Sequence, residues 1–154
     1  MSRRIAALDR EVMRAARANE ACKRFMTAPG VGGVVALSVW AAIDEPARFR
    51  RSTSVGAYFG LTPRRYASGE MDRTGRISKC GDKDVRTHLY EAANVILTRI
   101  RRPSALQAWG LGIAKRSGFR KAKVAVARKL SVILHRMWRD GTEFRWTGVA
   151  SASA

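Results

Sequence analysis

Residues 60–86 constrain the fold more than any other part of the chain. Pro63 and four glycines interrupt this segment, and it has no long apolar period. Because Gly and Pro punctuate local structure, the pattern predicts that most of the segment is loop. On either side, apolar residues recur at helical spacing, and no stretch shows a persuasive strand pattern. The sequence therefore predicts an all-α fold, a single helical domain interrupted by one long loop.

The predicted loop combines a serine with a concentration of positive charge. Ser68 stands directly before Gly69, and the surrounding candidates for phosphate contacts are Arg64, Arg65, Arg73, Arg76, Lys79 and Arg86. Cations bind phosphate and offset the charge that develops when a phosphodiester reacts. A flexible Ser-Gly turn within such a group is suited to phosphate chemistry. The alternative is a surface loop in which the serine stabilises a turn.

The net charge points to a polyanion as partner. Lys and Arg total 30 against 12 Asp and Glu, which gives a net charge of +18. A field of this strength favours nucleic acid over a membrane surface. No apolar run approaches the roughly 20 residues of a membrane span, and the first residues lack the apolar core of a signal peptide. Cys22 and Cys80 form no CxxC pair, which predicts reduced thiols in a cytoplasmic protein.

Residues 2–27 are predicted to form one helix, with Ser2 as its cap. A heptad seam runs along it through Ile5, Leu8, Val12, Ala15, Asn19, Cys22 and Met26. Such a seam either packs on the domain itself or pairs with another helix as a coiled coil, in which a single Asn fixes the register. Both readings stay open, and the second predicts a homo-oligomer.

A helix–hairpin–helix-like element is predicted around Gly30, Val31 and Gly32. A helix ends before Pro29 and another runs over residues 33–43. In this motif the hairpin leaves backbone N–H groups free to bind a DNA phosphate without reading sequence. An ordinary helix–helix turn explains Pro29 and the glycines equally well, and the net charge tips the balance towards phosphate binding.

Further helices are predicted along the rest of the chain. A short one follows Ser52 or Thr53 as N-cap, and a longer one opens at Asp82. Two more are predicted over residues 104–115 and 119–139, the last strongly amphipathic and closed by Asp140 and Gly141. Outside the first helix, nearly all acidic residues lie in pairs at helix ends or in loops, where capping or solvation explains them. The chain therefore offers no cofactor or metal site of its own.

Several short segments occur in an order that resembles one known family. They are residues 29–32, 48–50, 57–63, 68–69, 75–82, 85–86, 90–94 and 124–130. Together they resemble the C-terminal transposase domain of the IS110/IS116 family of insertion-sequence transposases, and the resemblance covers nearly the whole chain. The family consists of mobile-element recombinases that carry out DNA transposition guided by a bridge RNA.

The resemblance implies a specific chemistry. The family's nucleophilic serine matches Ser68, and Ser78 is its rival. An N-terminal RuvC-like half, absent here, carries a DEDD acidic set that binds Mg²⁺, and a coiled coil joins the two halves. The partners implied are DNA, the guide RNA, and either a second copy or a RuvC-like domain. The departures Ala67 and Cys80 leave the nucleophile in place.

The expected organisation therefore has three parts. Residues 1–27 are the end of the connecting coiled coil, 28–146 the transposase domain, and 147–154 a disordered tail. Because the acidic half is absent, we expect a fragment whose catalysis depends on a RuvC-like domain supplied by another subunit. The alternative is a basic nucleic-acid-binding module without chemistry, which needs no Ser68.

Overall fold

Helices build the fold, as predicted. The computed structural model describes residues 2–68, 71–77 and 81–146, with the backbone alone for the strand residues 63–68 and 71–77. In these ranges the α-helices are α1 (Arg3–Arg17), α2 (Glu20–Phe25), α3 (Gly33–Ile43), α4 (Ser54–Tyr58), α5 (Lys83–Thr98), α6 (Ala105–Ser117) and α7 (Phe119–Asp140). A 3₁₀ turn, Pro46–Arg48, lies between α3 and α4. Met1 and the predicted tail at 147–154 lie outside the described residues.

The prediction of a loop without strands over residues 60–86 is wrong. Strand β1 (Pro63–Ser68) pairs antiparallel with β2 (Met71–Ile77) in a two-stranded sheet. The register sets Arg65 opposite Thr74 and Ser68 opposite Met71, with an irregularity near Pro63. Strand preference depends on pairing and context more than on local propensity, so glycines and arginines did not exclude a hairpin.

The prediction of one helix over residues 2–27 is also wrong. Helix α1 ends with Ala18 as its C-cap, and a second helix, α2, begins after Asn19. The Asn19 side chain caps α2 by accepting a hydrogen bond from the Cys22 amide at 3.1 Å. Asn19 therefore acts as an N-cap, not as the polar member of a seam. The predicted Ser2 cap is confirmed, since its Oγ accepts from the Ile5 amide at 3.4 Å.

The first helix packs on α3 through Val12, Met13 and Ala16, so its buried face includes only part of the predicted seam. Ala16 is fully buried against α3, whereas the predicted seam residue Ala15 is exposed. Gly33 begins α3 so close to α1 that an added Cβ would meet Met13 Sδ at 2.8 Å. Ile5 and Leu8, nearer to the start of α1, remain 51% and 55% exposed. The seam is thus divided between a buried end and an exposed end.

The core lies where α5 and α7 cross, covered by α3, α4 and α6. Its fully buried apolar side chains include Leu89 and Ile96 of α5 and Leu130 and Leu134 of α7. The ends of these helices follow the predicted capping signals. Asp82 Oδ1 accepts from the Asp84 and Val85 amides, and Gly141 closes α7 in the left-handed conformation. The helical scaffold therefore fixes where the hairpin leaves and rejoins the domain.

Candidate nucleic-acid interface

The base of the β1–β2 hairpin is anchored in the core on both sides. Before β1, Phe59 and Leu61 are buried, and the Leu61 amide donates to Gly56 O at 2.9 Å. After β2, Gly81 lies against the carbonyl oxygen of Tyr58 with φ +83°, which leaves no room for a Cβ. Only glycine accommodates this conformation and this close approach together. The two ends of the hairpin are thus held next to each other beside α4.

Ser68 lies at the far end of the hairpin from this anchored base. It is the last residue of β1 and pairs with Met71, the first residue of β2. The turn residues between them, Gly69 and Glu70, lie outside the described part of the chain. The structure thus places the predicted nucleophile next to the turn of the hairpin, at the end opposite the anchored base.

Four of the predicted phosphate-binding cations lie on the two strands. Arg64 and Arg65 belong to β1, and Arg73 and Arg76 belong to β2. In the register Arg73 pairs with Tyr66, two positions before Ser68. Lys79 and the rival Ser78 lie outside the described residues. The hairpin therefore gathers these arginines along the same two strands that carry Ser68.

Arg86 has a structural contact that the sequence did not reveal. Arg86 lies near the start of α5, and its Nη1 donates a hydrogen bond to Phe59 O at 3.3 Å. The contact joins the start of α5 to the segment that leads into β1. Arg86 thus helps to anchor the base of the hairpin, and a phosphate contact by it stays a prediction.

The three residues of the predicted DNA-binding hairpin have three different environments. Gly30, at φ +73°, lies so close to α5 that an added Cβ would meet Ala92 O at 2.7 Å. Val31 is 6% exposed and belongs to the core. Gly32 is exposed and forms the N-cap of α3 without a side-chain cap bond. Gly32 is therefore the one of the three that is placed to approach a phosphate.

A buried polar cluster links α7 to the segment before α4. His135 has no exposed surface, and its Nε2 lies 2.8 Å from Pro46 O, which requires an Nε2–H donor. Its Nδ1 lies 2.8 Å from Ser52 Oγ, to which Arg139 Nη1 also donates at 3.3 Å. In a neutral Nε2–H imidazole, Nδ1 accepts from the Ser52 hydroxyl. Ser52 therefore satisfies His135, and the N-cap residue of α4 is Thr53, the other predicted candidate, without a side-chain cap bond.

Aromatic rings and an arginine extend this cluster to the surface. Phe49 packs edge-on against His135 and Tyr58, with centroid distances of 5.5 and 5.1 Å. The Arg48 guanidinium lies 5.6 Å from the Phe49 centroid and 5.5 Å from that of Tyr58, and it donates to Ile43 O. The cluster stabilises the α4 end from which the hairpin projects.

Three groups in the described residues have clearly displaced pKa values: the Cys22 thiol, the Asp140 carboxyl and the Arg139 guanidinium, whose pKa is raised by its hydrogen bond to Asp140. Burial raises the pKa of the Cys22 thiol to about 11, because the buried thiolate loses its hydration. The hydrogen bond from Arg139 lowers the pKa of the Asp140 carboxyl on the surface. None of the three groups lies in the hairpin, so none of them supplies an activated base for Ser68.

The described residues do not fit a metal centre. Among them, no three His, Cys, Asp or Glu side chains come together in a way that could hold a metal ion. The same residues also contain no helix both long and apolar enough to cross a membrane.

Comparison with known proteins gives one consistent result. Residues 22–109, more than half of the chain, match the profile described as "Transposase IS116/IS110/IS902 family". The chain is 35% identical over 127 residues to the "Transposase for insertion sequence element IS1111A" of Coxiella burnetii, covering 82% of this chain and 35% of that protein. It is 31% identical to a "Probable family 20 transposase" of Pseudomonas aeruginosa, covering 92% of this chain and 42% of that protein.

A third relative extends the same pattern. The "Transposase for insertion sequence element IS1328" of Yersinia enterocolitica is 30% identical over 138 residues, which cover 89% of this chain and 41% of that protein. The chain thus spans well under half the length of these curated relatives.

Proposed function

Because the chain belongs to the IS116/IS110/IS902 family of transposases, we propose that it supplies the serine nucleophile for DNA strand exchange in transposition. The observation that carries this proposal is the position of Ser68. A helical domain presents it at the tip of a hairpin whose base is anchored by Gly81 and Arg86. A reacting group on a supported projection can enter a DNA groove while the domain binds the backbone.

The proposed step is a phosphoryl transfer that conserves bond energy. Ser68 Oγ attacks a DNA phosphorus, the bond from phosphorus to the 3′ oxygen breaks, and the serine proton ends on the released 3′-hydroxyl. A 5′-phosphoserine linkage results, and attack by another 3′-hydroxyl reverses the step and joins new strands. Arg64, Arg65, Arg73 and Arg76 are proposed to bind the reacting phosphate, together with Lys79 and Arg86. Positioned cations stabilise the charge that develops in such a transition state.

The proposed active site is composite. A serine hydroxyl is a weak nucleophile until a base or a metal assists it. The carboxylates nearest to Ser68 in the sequence are Glu70 and Asp72, and Asp72 pairs with Ala67 in the register of the hairpin. We propose that a RuvC-like acidic domain with Mg²⁺ completes the site, in an assembly that also contains guide RNA. Ile5 and Leu8 support a partner at α1, because large apolar side chains that remain half exposed favour association.

A covalent adduct tests the proposal. The chain is combined with a RuvC-like half from a family member, guide RNA, magnesium and end-labelled donor DNA, and denaturing gels detect protein-linked DNA. Ser68→Ala abolishes the adduct and leaves DNA binding unchanged, whereas Ser78→Ala leaves both intact. If Ser78→Ala removes the adduct and Ser68→Ala does not, the assignment of the nucleophile is wrong.

The net charge supports a second candidate, a DNA-binding module without chemistry. With +18 charges, such a module binds duplex with an affinity that falls steeply with salt. It forms no adduct under any of these conditions, and Ser68→Ala then has no effect at all. The same gels therefore separate the two functions.

A further inference from the structure

The last two long helices form an extreme charge environment. Between Glu91 and Asp140 the sequence holds twelve Lys and Arg and not a single Asp or Glu. All of these residues lie in the described part of the chain, mostly on or beside α6 and α7. Helices that are stabilised by their own surface charges alternate the two signs. This pair of helices does not, so its charge is directed at something outside the domain.

The cations concentrate where α6 turns into α7. We call residues 115–121 the α6–α7 elbow. Lys115 and Arg116 end α6, Gly118 turns the chain at φ +93°, and Arg120 and Lys121 begin α7. All four cations are exposed, and in the described residues none of them takes part in an ion pair or a side-chain hydrogen bond.

Two features of the elbow have no structural benefit for the domain. Arg120 and Lys121 occupy the first turn of α7, where the helix dipole disfavours positive charge. Phe119, between the two pairs of cations, keeps its side chain 48% exposed to water. Both features become favourable if a strand with negative phosphates and flat bases lies against the elbow.

Contacts between helices show that the start of α7 is directed towards the end of α5 that follows the hairpin. Lys123 Nζ, near the start of α7, lies 5.8 Å from the ring centroid of Tyr90 in the first half of α5. Farther along, Leu97 of α5 and Val126 of α7 both lie against Gly110. From Val126 back to Lys123, α7 therefore runs along α5 from near its C-terminal end towards its middle, and α5 begins directly after the hairpin.

We propose that the α6–α7 elbow binds unpaired DNA next to the point of strand exchange. Phe119 stacks on a base, and Lys115, Arg116, Arg120 and Lys121 contact the flanking phosphates. Aromatic stacking between cations is the usual basis of single-strand binding, because every base has a π face. A duplex has its bases already stacked and would use only the cations. The location beside the exchange point rests on the proposed function, whereas the binding itself does not.

Binding of short strands to the full chain tests the proposal. Fluorescence anisotropy measures the affinity for labelled oligo-dT, for an abasic strand of equal length, for a duplex and for oligo-U. Phe119→Leu keeps an apolar side chain but removes the ring, and it weakens oligo-dT binding about 5- to 100-fold. Phe119→Leu leaves the affinity for the abasic strand and for the duplex unchanged. Phe119→Trp, which provides a ring again, retains the oligo-dT affinity of the unaltered chain.

The cations are tested through the salt dependence. Replacing Arg120 and Lys121 by Gln lowers the slope of log affinity against log salt for oligo-dT by about 1.4, at about 0.7 per phosphate contact. A matched control replaces the exposed pair Arg3 and Arg4 by Gln, which removes the same net charge from α1 and leaves the slope unchanged.

Three results would overturn the proposal. Equal oligo-dT affinity of Phe119→Leu and the unaltered chain excludes stacking. Equal slopes of log affinity against log salt for the elbow variant and the α1 control would mean that the elbow contributes only to the net charge and makes no specific phosphate contacts. If Phe119→Leu weakens the binding of oligo-U but not that of oligo-dT, the ligand of the elbow is RNA and not DNA. These outcomes are independent of adduct formation at Ser68, so the proposal fails or survives separately from the catalytic function.

Discussion

Gly30→Ala is expected to destabilise the domain far more than Gly32→Ala, although the two glycines flank one residue. At Gly30 the backbone has φ +73°, and an added Cβ would lie 2.7 Å from Ala92 O and 3.2 Å from Ile96 Cγ1. A left-handed conformation costs a non-glycine residue about 1–2 kcal/mol. Overpacking against α5 adds about 1–3 kcal/mol. The expected loss in free energy of unfolding is therefore about 2–5 kcal/mol.

Gly32 provides the matched control. Its φ is −97° and an added Cβ would meet nothing within 4 Å, so alanine is accommodated without strain. Alanine is a poorer N-cap than glycine by roughly 0.5–1.5 kcal/mol, but it restricts the unfolded chain, which stabilises the fold by about 0.4–1 kcal/mol, so the two effects largely cancel. Urea unfolding followed by circular dichroism measures both variants. Losses of similar size, or a loss below about 1 kcal/mol for Gly30→Ala, would refute this account of the turn.

Substitutions at Gly32 separate an effect on folding from an effect on phosphate binding. Gly32→Asp introduces a good N-cap that also suits the helix dipole, so the domain stays folded. If the start of α3 contacts a DNA phosphate, the new carboxylate weakens duplex binding about tenfold, whereas Gly32→Ser leaves it unchanged. Equal affinity of the Asp and Ser variants would mean that the predicted helix–hairpin–helix element is only a helix–helix turn.

Two further predictions concern groups buried away from the hairpin. His135→Ala removes the donor to Pro46 O and the partner of Ser52 from a fully buried site. It lowers the free energy of unfolding, measured by urea titration, by about 3 kcal/mol. A loss below about 1 kcal/mol would contradict a stabilising role of the buried polar cluster. In a Cys80→Ser background, Cys22 resists thiol reagents at pH 8, because its pKa of about 11 keeps it protonated and it is fully buried; labelling at the rate of an unfolded thiol contradicts this. Since the folded pKa lies above the unfolded value, the stabilisation from the neutral thiol is complete below about pH 8.5 and is lost as the pH rises towards 11.

Local signals predicted the helical frame well. Asp82 is an N-cap with its own amide partners, and Gly141 ends α7, both by chemistry that operates within a few residues. Asn19 shows where such signals conflict. Its position fits a heptad seam and an N-cap equally well, and only the packing of Ala16 and Cys22 into the core decides for the cap.

The candidate site was harder to predict because it depends on contacts distant in sequence. The nearest clue to the hairpin was the density of glycines, which indicates a turn but not the pairing of Pro63 with Ile77. Ser52 and His135 are 83 residues apart, so no local pattern joins them. Gly30 reads as a ligand-binding glycine until the structure shows that α5 occupies the space in front of it.

Mapping the site of attachment tests the central claim most directly. Denaturant quenches the reaction before the strands rejoin, so the covalent intermediate is retained. Nuclease digestion then leaves a nucleotide remnant on the attacking serine, and trypsin separates the two candidates. Ser68 lies on the peptide of residues 66–73, and Ser78 lies on that of residues 77–79. The account predicts the remnant on the first peptide at Ser68. A remnant on the second peptide, or cleaved DNA strands without a remnant on either peptide in the quenched reaction, would contradict it.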